Sequence, residues 1–154
     1  METIKNDLNL SSFEHLPKHY QKALIKFFHF EVLVWDVCGD GAFMPFPSTE
    51  HEWSRLISLV SKTLEETQFH FGDVCLDKIK SICTAHAECV RKHKSFDDYH
   101  KDFRSTSPIR HSEKDRWPVI INSICLRTLF YDGWNRFHSY IAAGHKTIPI
   151  VTID

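Results

Sequence analysis

The residues best suited to chemistry lie close together late in the chain. Asp132 and Gly133 end an apolar run, and Asn135 and Arg136 follow in the first turn of a predicted helix. Such a turn presents backbone N–H groups, the positive end of a helix and a guanidinium in one place. These residues therefore predict an anion site. The alternative interpretation is a tight Asp-Gly turn beside a solvated Arg136.

The pattern around this turn predicts the elements that position it. Val119 to Ile121 and Leu126 to Tyr131 are β-branched and aromatic runs, which indicate two strands. From Trp134 the apolar spacing becomes i, i+3, i+7, which indicates a helix, and Gly144 stands where a helix-ending glycine is expected. Residues 147–153 predict a closing strand.

The segment from Asp132 to Ile150 resembles the C-terminal motif of the ParB/sulfiredoxin-like fold. Members of that family carry Asp-Gly or Gly-Gly, a small or polar residue, His or Asn, and Arg, then a helix that ends shortly before Ile-Pro or Val-Pro. The resemblance implies that Gly133, Asn135 and Arg136 contact nucleotide phosphates. It also implies that Asp132 holds Mg²⁺ or orients a water, with Asp132 and Arg136 as the catalytic candidates.

A second group of candidates lies on an earlier predicted helix that Ser48 or Thr49 would cap. Arg55, Ser58 and Lys62 are spaced i, i+3, i+7 and form a polar stripe beside the apolar face. The segment is similar to the family's earlier helix, so the resemblance implies that this stripe lines the nucleotide pocket. The alternative is an ordinary solvated stripe.

Two departures from the family pattern narrow the function. Sulfiredoxins need a cysteine directly after the paired glycines, and Trp134 stands there instead. Peroxiredoxin repair is therefore excluded, because no other residue type can replace a thiolate in attacking an oxidised sulfur. Chromosome-partition ParB proteins add a DNA-binding domain after this fold, and no such segment follows Asp154 here, so that role is not expected.

Composition indicates one globular domain. The chain has 154 residues, of which 42% are hydrophobic and 25% charged, enough for a single core. A formal net charge of -1 provides no global attraction to nucleic acid, so any such contact needs a local patch. Five cysteines without regular spacing predict reduced thiols in the cytoplasm, and no apolar run is long enough to span a membrane.

We expect an α+β fold over residues 1–154, with a small mixed sheet flanked by helices. An amphipathic helix is predicted over 11–28 and a first strand over 29–37. Residues 67–115 are expected to be a helical and loop insertion, with a helix from about Asp73 and a surface loop from Ser95, with or without a short helix around Asp97 to Phe103. Residues 117–154 form the motif-bearing core.

A metal site is a minor alternative within this insertion. His86, Cys89 and His93 are spaced i, i+3, i+7 on the predicted helix, so their side chains could converge on one metal ion. A structural zinc site needs a fourth ligand, and none is evident nearby. We therefore predict that these residues bind no metal.

The leading functional hypothesis is a nucleotide-binding ParB-like protein that uses ATP or another nucleotide, with or without Mg²⁺. Resemblance to plasmid fertility-inhibition proteins adds ATPase or DNase activity, contact with DNA, inhibition of conjugative transfer and a bacterial setting as expectations. One alternative is a non-enzymatic inhibitor or effector that binds a protein partner through residues 67–115, with Trp134 blocking the nucleotide pocket. Another alternative is a small-metabolite kinase.

Overall fold

The computed structural model describes residues 7–28, 47–106, 115–122 and 130–153. Its strands are β1 (Asn9–Ser12), β2 (Gln68–Cys75), β3 (Val119–Asn122), β4 (Phe130–Asp132) and β5 (Thr147–Ile153). They form one sheet in the order β1-β2-β5-β3-β4. The strand β5 pairs antiparallel with β2 and parallel with β3, so the sheet is mixed.

The helices within these ranges are α1 (Lys18–Phe28), α2 (Glu50–Thr63), α3 (Leu76–His86), α4 (Glu88–Arg91), α5 (Phe96–Thr106) and α6 (Trp134–Ala142). The predicted α+β class with a mixed sheet is confirmed. Among the described helices, none combines the length and apolar character needed to cross a membrane.

Backbone contacts divide the chain into two compact units. Leu10–Phe69 forms one unit, in which α2 begins as predicted. The Thr49 side chain accepts a hydrogen bond from the Glu52 N–H, and the Glu52 carboxylate accepts one from the Thr49 N–H. This capping box satisfies backbone N–H groups that have no acceptor within the helix. The buried face of α2 is apolar.

The predicted helix over 11–28 is interrupted in the structure. Phe13–His15 is a short 3-10 helix, and α1 begins only at Lys18. Leu16 is extended, with φ -67° and ψ 147°, because the ring of a following proline disfavours helical geometry in the residue before it. The Pro17 carbonyl oxygen then accepts the first backbone hydrogen bonds of α1, from the N–H groups of Tyr20 and Gln21.

The second unit consists of Met1–Asn9 and His70–Asp154. Its apolar core combines residues 74–99 with residues 119–150. The segment expected to be an insertion thus supplies part of the core: Val74, Leu76, Ile79, Cys83, Ala87, Val90 and Tyr99.

The local structure of residues 67–115 differs from expectation in two places. Residues 68–75 form β2, and the helix predicted from Asp73 begins at Leu76. The physical reason is pairing with β5, which opposes His70 to Thr152 and Cys75 to Thr147. Within the loop expected after Ser95, the helix α5 extends over Phe96–Thr106, longer than the short helix considered around Asp97 to Phe103, and it buries Tyr99.

The C-terminal part follows the sequence pattern closely. The strands β3, β4 and β5 and the helix α6 occur in the predicted order. Gly144 has φ +79°, and the bonds Gly144 N–H to Ile141 O and His145 N–H to Tyr140 O close α6. The predicted strand over 29–37 and residues 126–129 of the second apolar run lie outside the described residues.

Candidate functional site

Gly133 connects β4 to α6 and contacts β3. Its backbone angles are φ 108° and ψ 17°, a left-handed conformation that residues with a Cβ rarely adopt. A Cβ built on it would lie 2.9 Å from Val119 Cγ1 and 3.1 Å from Val119 Cα. The missing side chain therefore allows the turn to pack against β3. Asp132, the last residue of β4, is half-buried and pairs with Ile120.

Arg136 lies inside the protein, with only 6% of its surface exposed. Its Nη1 donates to the carbonyl oxygen of Pro118 at 2.5 Å, and its Cζ lies 5.6 Å from the centre of the Trp117 ring. One turn later, Tyr140 donates its hydroxyl proton to the Trp117 carbonyl at 2.8 Å. Arg136 and Tyr140 therefore hold two successive carbonyls at the entry to β3. The solvated Arg136 of the alternative interpretation is not what the structure shows.

The first turn of α6 begins without a side-chain cap, because its N-cap residue is glycine. The first intrahelical bond runs from the Phe137 N–H to the Gly133 carbonyl at 2.7 Å. The N–H groups of Trp134 and Asn135 precede this bond and have no acceptor within the helix. Asn135 Oδ1 is buried and has no hydrogen-bond partner among the described residues. The backbone N–H groups at this end of α6 are therefore the donors that an anionic ligand can satisfy, whereas Asn135 Oδ1 is an acceptor.

Trp134 packs against the core beside this helix end. Its ring centre is 4.4 Å from that of Phe130, 6.2 Å from that of Phe137 and 6.4 Å from that of Tyr99 on α5. The ring is half-buried and makes edge-on contacts to all three. Trp134 thus joins α5 to the turn that contains Gly133.

The polar stripe predicted on α2 is exposed, and its members are Arg55, Ser58 and Lys62. Trp53, Leu56 and Val60 are buried on that helix. The three polar residues belong to the unit of Leu10–Phe69, whereas Asp132, Gly133, Asn135 and Arg136 belong to the other unit. The first group thus lies on α2, and the second lies where β4 passes into α6.

No family model, curated protein or solved structure matches this chain.

The three residues considered for a metal site do not share a helix. The helix α3 ends at His86, and Ala87 is extended with φ -83° and ψ 121°. His93 Nε2 lies 3.2 Å from Asp102 Oδ2, and its Nδ1 lies 3.0 Å from the Cys89 carbonyl oxygen. Within the described ranges, three or more His, Cys, Asp or Glu side chains nowhere gather as a metal ion would require.

A cluster around His138 on α6 was not predicted from the sequence. His138 is fully buried, with Nδ1 2.7 Å from His100 Nδ1 and Nε2 3.1 Å from the Tyr99 hydroxyl. A signal was present, because His138 occupies the i+4 position of the apolar stripe that starts at Trp134. A histidine on such a stripe is expected to be buried and to need polar partners.

Burial also fixes the protonation of this cluster. It lowers the pKa of His138 to about 3, with further lowering by His100 and Arg104. Burial is likewise the main reason why the pKa of the Tyr99 hydroxyl is raised above its usual range. His138 and Tyr99 are therefore both uncharged at neutral pH.

Two open clefts adjoin α3, with volumes of about 380 and 540 Å³. Asp77 and Lys80 line both of them. Neither cleft is lined by a residue that the sequence singled out as a phosphate contact. These clefts therefore add nothing to the candidate anion site.

Proposed function

We propose that the protein binds a nucleotide, with its phosphates at the N-terminal end of α6. The observation that carries the proposal is the uncapped first turn of α6, whose first backbone N–H groups have no acceptor within the helix. Backbone N–H groups at such an end attract phosphate oxygens through hydrogen bonds and the helix dipole. The resemblance of residues 132–150 to the ParB/sulfiredoxin-like motif supports the same location.

The geometry changes the role proposed for Arg136. Its guanidinium donates to the Pro118 carbonyl from a buried position. We therefore assign phosphate contact to the backbone N–H groups of Trp134 and Asn135 and to the donor NH2 group of the Asn135 side chain. Arg136 acts as a positioning residue that fixes α6 against the entry to β3. Its positive charge, held inside this end of the unit, still favours an anion nearby.

The proposal concerns binding rather than hydrolysis. An ATPase or nuclease would rest on Asp132 and Arg136, and Arg136 makes a structural hydrogen bond here. Arg55, Ser58 and Lys62 remain predicted phosphate contacts, and ATP with Mg²⁺, as well as DNA, remain the ligands to be tested. Cys75, Cys83 and Cys89 are free thiols, which supports the cytoplasmic setting that we propose.

Calorimetric titration of the full chain with ATP, ADP, CTP and single-stranded DNA, each with and without Mg²⁺, tests the proposal. Asn135→Ala should weaken binding about two- to tenfold through loss of one hydrogen bond. Asn135→Asp should weaken it at least tenfold, because a carboxylate repels phosphate.

Ala143→Asp provides the matched control. It adds the same charge at the exposed C-terminal end of α6, on the order of 12 Å away at the helical rise of ~1.5 Å per residue. Binding should change little in this variant. Equal weakening by Asn135→Asp and Ala143→Asp would refute a local site. No wild-type binding to any of the four ligands would refute the proposal as a whole.

A protein-binding inhibitor or effector is the second candidate. The observation in its favour is Trp134, whose bulky ring lies beside the predicted pocket and packs on Tyr99, from the segment expected to contact a partner. Trp134→Ala separates the two functions. A nucleotide affinity that rises in this variant would mean that the ring restricts the site. A wild type and variant that both fail to bind nucleotide would favour the protein-binding candidate.

A further inference from the structure

The side chains of α5 and α6 meet through two imidazoles whose facing nitrogens are the same atom type. His100 Nδ1 and His138 Nδ1 are 2.7 Å apart. A hydrogen bond at this distance needs one N–H and one lone pair, so one of the two atoms must be protonated and the other must not. The contact therefore holds a single proton between α5 and α6.

The buried partner has no access to solvent. His138 has no exposed surface, and the Phe103 ring stacks on it at 3.9 Å between centres. The Phe96 ring is nearly parallel to it at 6.4 Å. Its second nitrogen, Nε2, meets the Tyr99 hydroxyl at 3.1 Å. Both ring nitrogens of His138 are therefore bonded to side chains of α5.

The charges that surround the pair disfavour a second proton. Arg104 on α5 and Lys80 on α3 are cations near His100, and Asp97 on α5 is the anion that opposes them. The groups that face Tyr99 are the thiols of Cys83 and Cys89 and the ring of His93. Burial is the first cause that lowers the pKa of both histidines, and the neighbouring cations add to it.

The first proton added to the pair can be accommodated without loss of contact. His100, which is partly exposed, takes it and donates its Nδ1–H to His138 Nδ1. The other nitrogen of His138 then carries the ring proton and donates to the Tyr99 oxygen. A second proton would place N–H groups on both Nδ1 atoms, which removes the hydrogen bond and puts two cations in contact.

We propose that the His100–His138 pair is an acid-sensitive latch, which holds α5 against α6 at neutral pH and releases α5 when both imidazoles become protonated. Because His138 can take its proton only after α5 has moved away, acid favours the open form. The latch lies within the unit that contains α3, α5 and α6, and it does not depend on nucleotide binding.

Hydrogen exchange of the full chain, read by mass spectrometry between pH 7.5 and 5 and corrected for intrinsic exchange, tests this latch. We expect the opening constant of residues 96–106 to rise by up to tenfold per pH unit below about pH 6.5, the change that one linked proton produces. Amides in β3 and β5 should not follow this dependence.

Variants at His138 should remove the pH dependence. His138→Phe keeps a stacking ring, and His138→Asn keeps a polar group near the Nδ1 position, so at least one is expected to fold. Either folded variant should show an opening constant of α5 that is flat with pH. His100→Ala should raise the opening constant at pH 7.5 about two- to tenfold through loss of one hydrogen bond.

His93→Gln is the control, because His93 also contacts α5, through Asp102, but lies outside the pair. It should retain the wild-type dependence on pH. A wild type without pH dependence in residues 96–106 would overturn the latch. The same dependence in His138→Phe or His138→Asn as in the wild type would overturn it too.

Discussion

Arg136 shows how a residue type that suggests ligand chemistry can serve the fold. The guanidinium is buried, lies near the Trp117 ring and donates to the Pro118 carbonyl. Charge-assisted hydrogen bonds are stronger than those between neutral groups, and a buried acceptor that loses its donor is costly. If Arg136 contacted phosphate, as the resemblance implies, its removal would affect binding and hardly affect stability. The structure predicts an effect on stability.

Arg136→Ala should lower the free energy of unfolding by about 1.5 to 3 kcal/mol. Tyr140→Phe, which removes the hydroxyl that donates to Trp117, should lower it by about 0.5 to 1.5 kcal/mol. Urea titration measures both. Arg55→Ala is the control, since Arg55 is exposed, and it should stay within about 0.5 kcal/mol of the wild type. A loss for Arg136→Ala no larger than for Arg55→Ala would contradict this role.

Gly133 and Gly144 provide a comparison of two positive-φ glycines. Both conformations strain a residue that has a Cβ, but only at Gly133 would that Cβ also meet Val119, since nothing lies within 4 Å at Gly144. Gly144→Ala should cost about 1 to 2 kcal/mol from strain. Gly133→Ala should cost about 1 to 3 kcal/mol more because of the clash. Thermal or urea melts that rank the two variants equally would show that β3 can move away.

The candidate site could be predicted from sequence only where local pattern decides it. The Asp132-Gly133 turn and the start of α6 follow from a change of apolar period within a few residues. The burial of Arg136 could not be predicted, because its acceptor is on Pro118, 18 residues earlier. The His138 cluster depends on α5, because its partner His100 lies on that helix, 38 residues before His138. Such contacts are set by packing between elements.

At the scale of elements, α6 connects the sheet to α5 through aromatic contacts. Phe137 is fully buried, and its ring lies 5.0 Å from that of Phe130 on β4 and 5.9 Å from that of Phe96 on α5. All the described aromatic contacts of Phe137 are edge-on or tilted, which is the arrangement that aromatic quadrupoles favour. Phe137 is therefore central to the packing of α6.

Phe137→Ala should lower the free energy of unfolding by about 3 to 5 kcal/mol, because both the transfer energy and a cavity contribute. Ile141→Ala, at a half-buried position on the same helix, should cost clearly less. Denaturation in urea, followed by far-UV circular dichroism, gives both values. A loss below about 1 kcal/mol for Phe137→Ala would mean that α6 presents another face to the core.

Elements differ in how far the sequence determines them. The helix α2 has its own capping box and apolar stripe, so its start and its buried face could be predicted. The strand β2 could not, since it is stabilised by β5, whose residues come more than seventy positions later. The helix α5 was expected to be a short helix in a surface loop, because its polar composition hides the buried Tyr99. Tertiary partners override local preference in both cases.

At the scale of the whole molecule, acid should destabilise the fold through His138. Its pKa is about 3 in the folded chain and 6.5 when unperturbed, so the unfolded chain binds more protons between these values. The stabilisation is complete above pH 6.5 and is lost as the pH falls toward 3. From pH 7 to pH 5, the free energy of unfolding should fall by about 2 kcal/mol.

Urea titrations at several pH values from 5 to 8 measure this change. His138→Asn should remove most of the slope, whereas His93→Gln should leave it in place. A free energy of unfolding that rises from pH 7 to pH 5 in the wild type would contradict the assignment. Lowered pKa values of Glu50 and Glu52 add acid sensitivity only at lower pH, below their usual value of 4.5.

The position of β5 has a consequence for how the chain folds. It follows the other described strands in sequence, yet it lies between β2 and β3 and pairs with both. Until β5 docks, neither strand has the neighbour that it has in the native sheet. Closing the β2–β5 pair also spans a long stretch of chain, which slows folding. Nascent or refolding chains therefore expose two unpaired strand edges, and chaperones or low protein concentration should improve their yield.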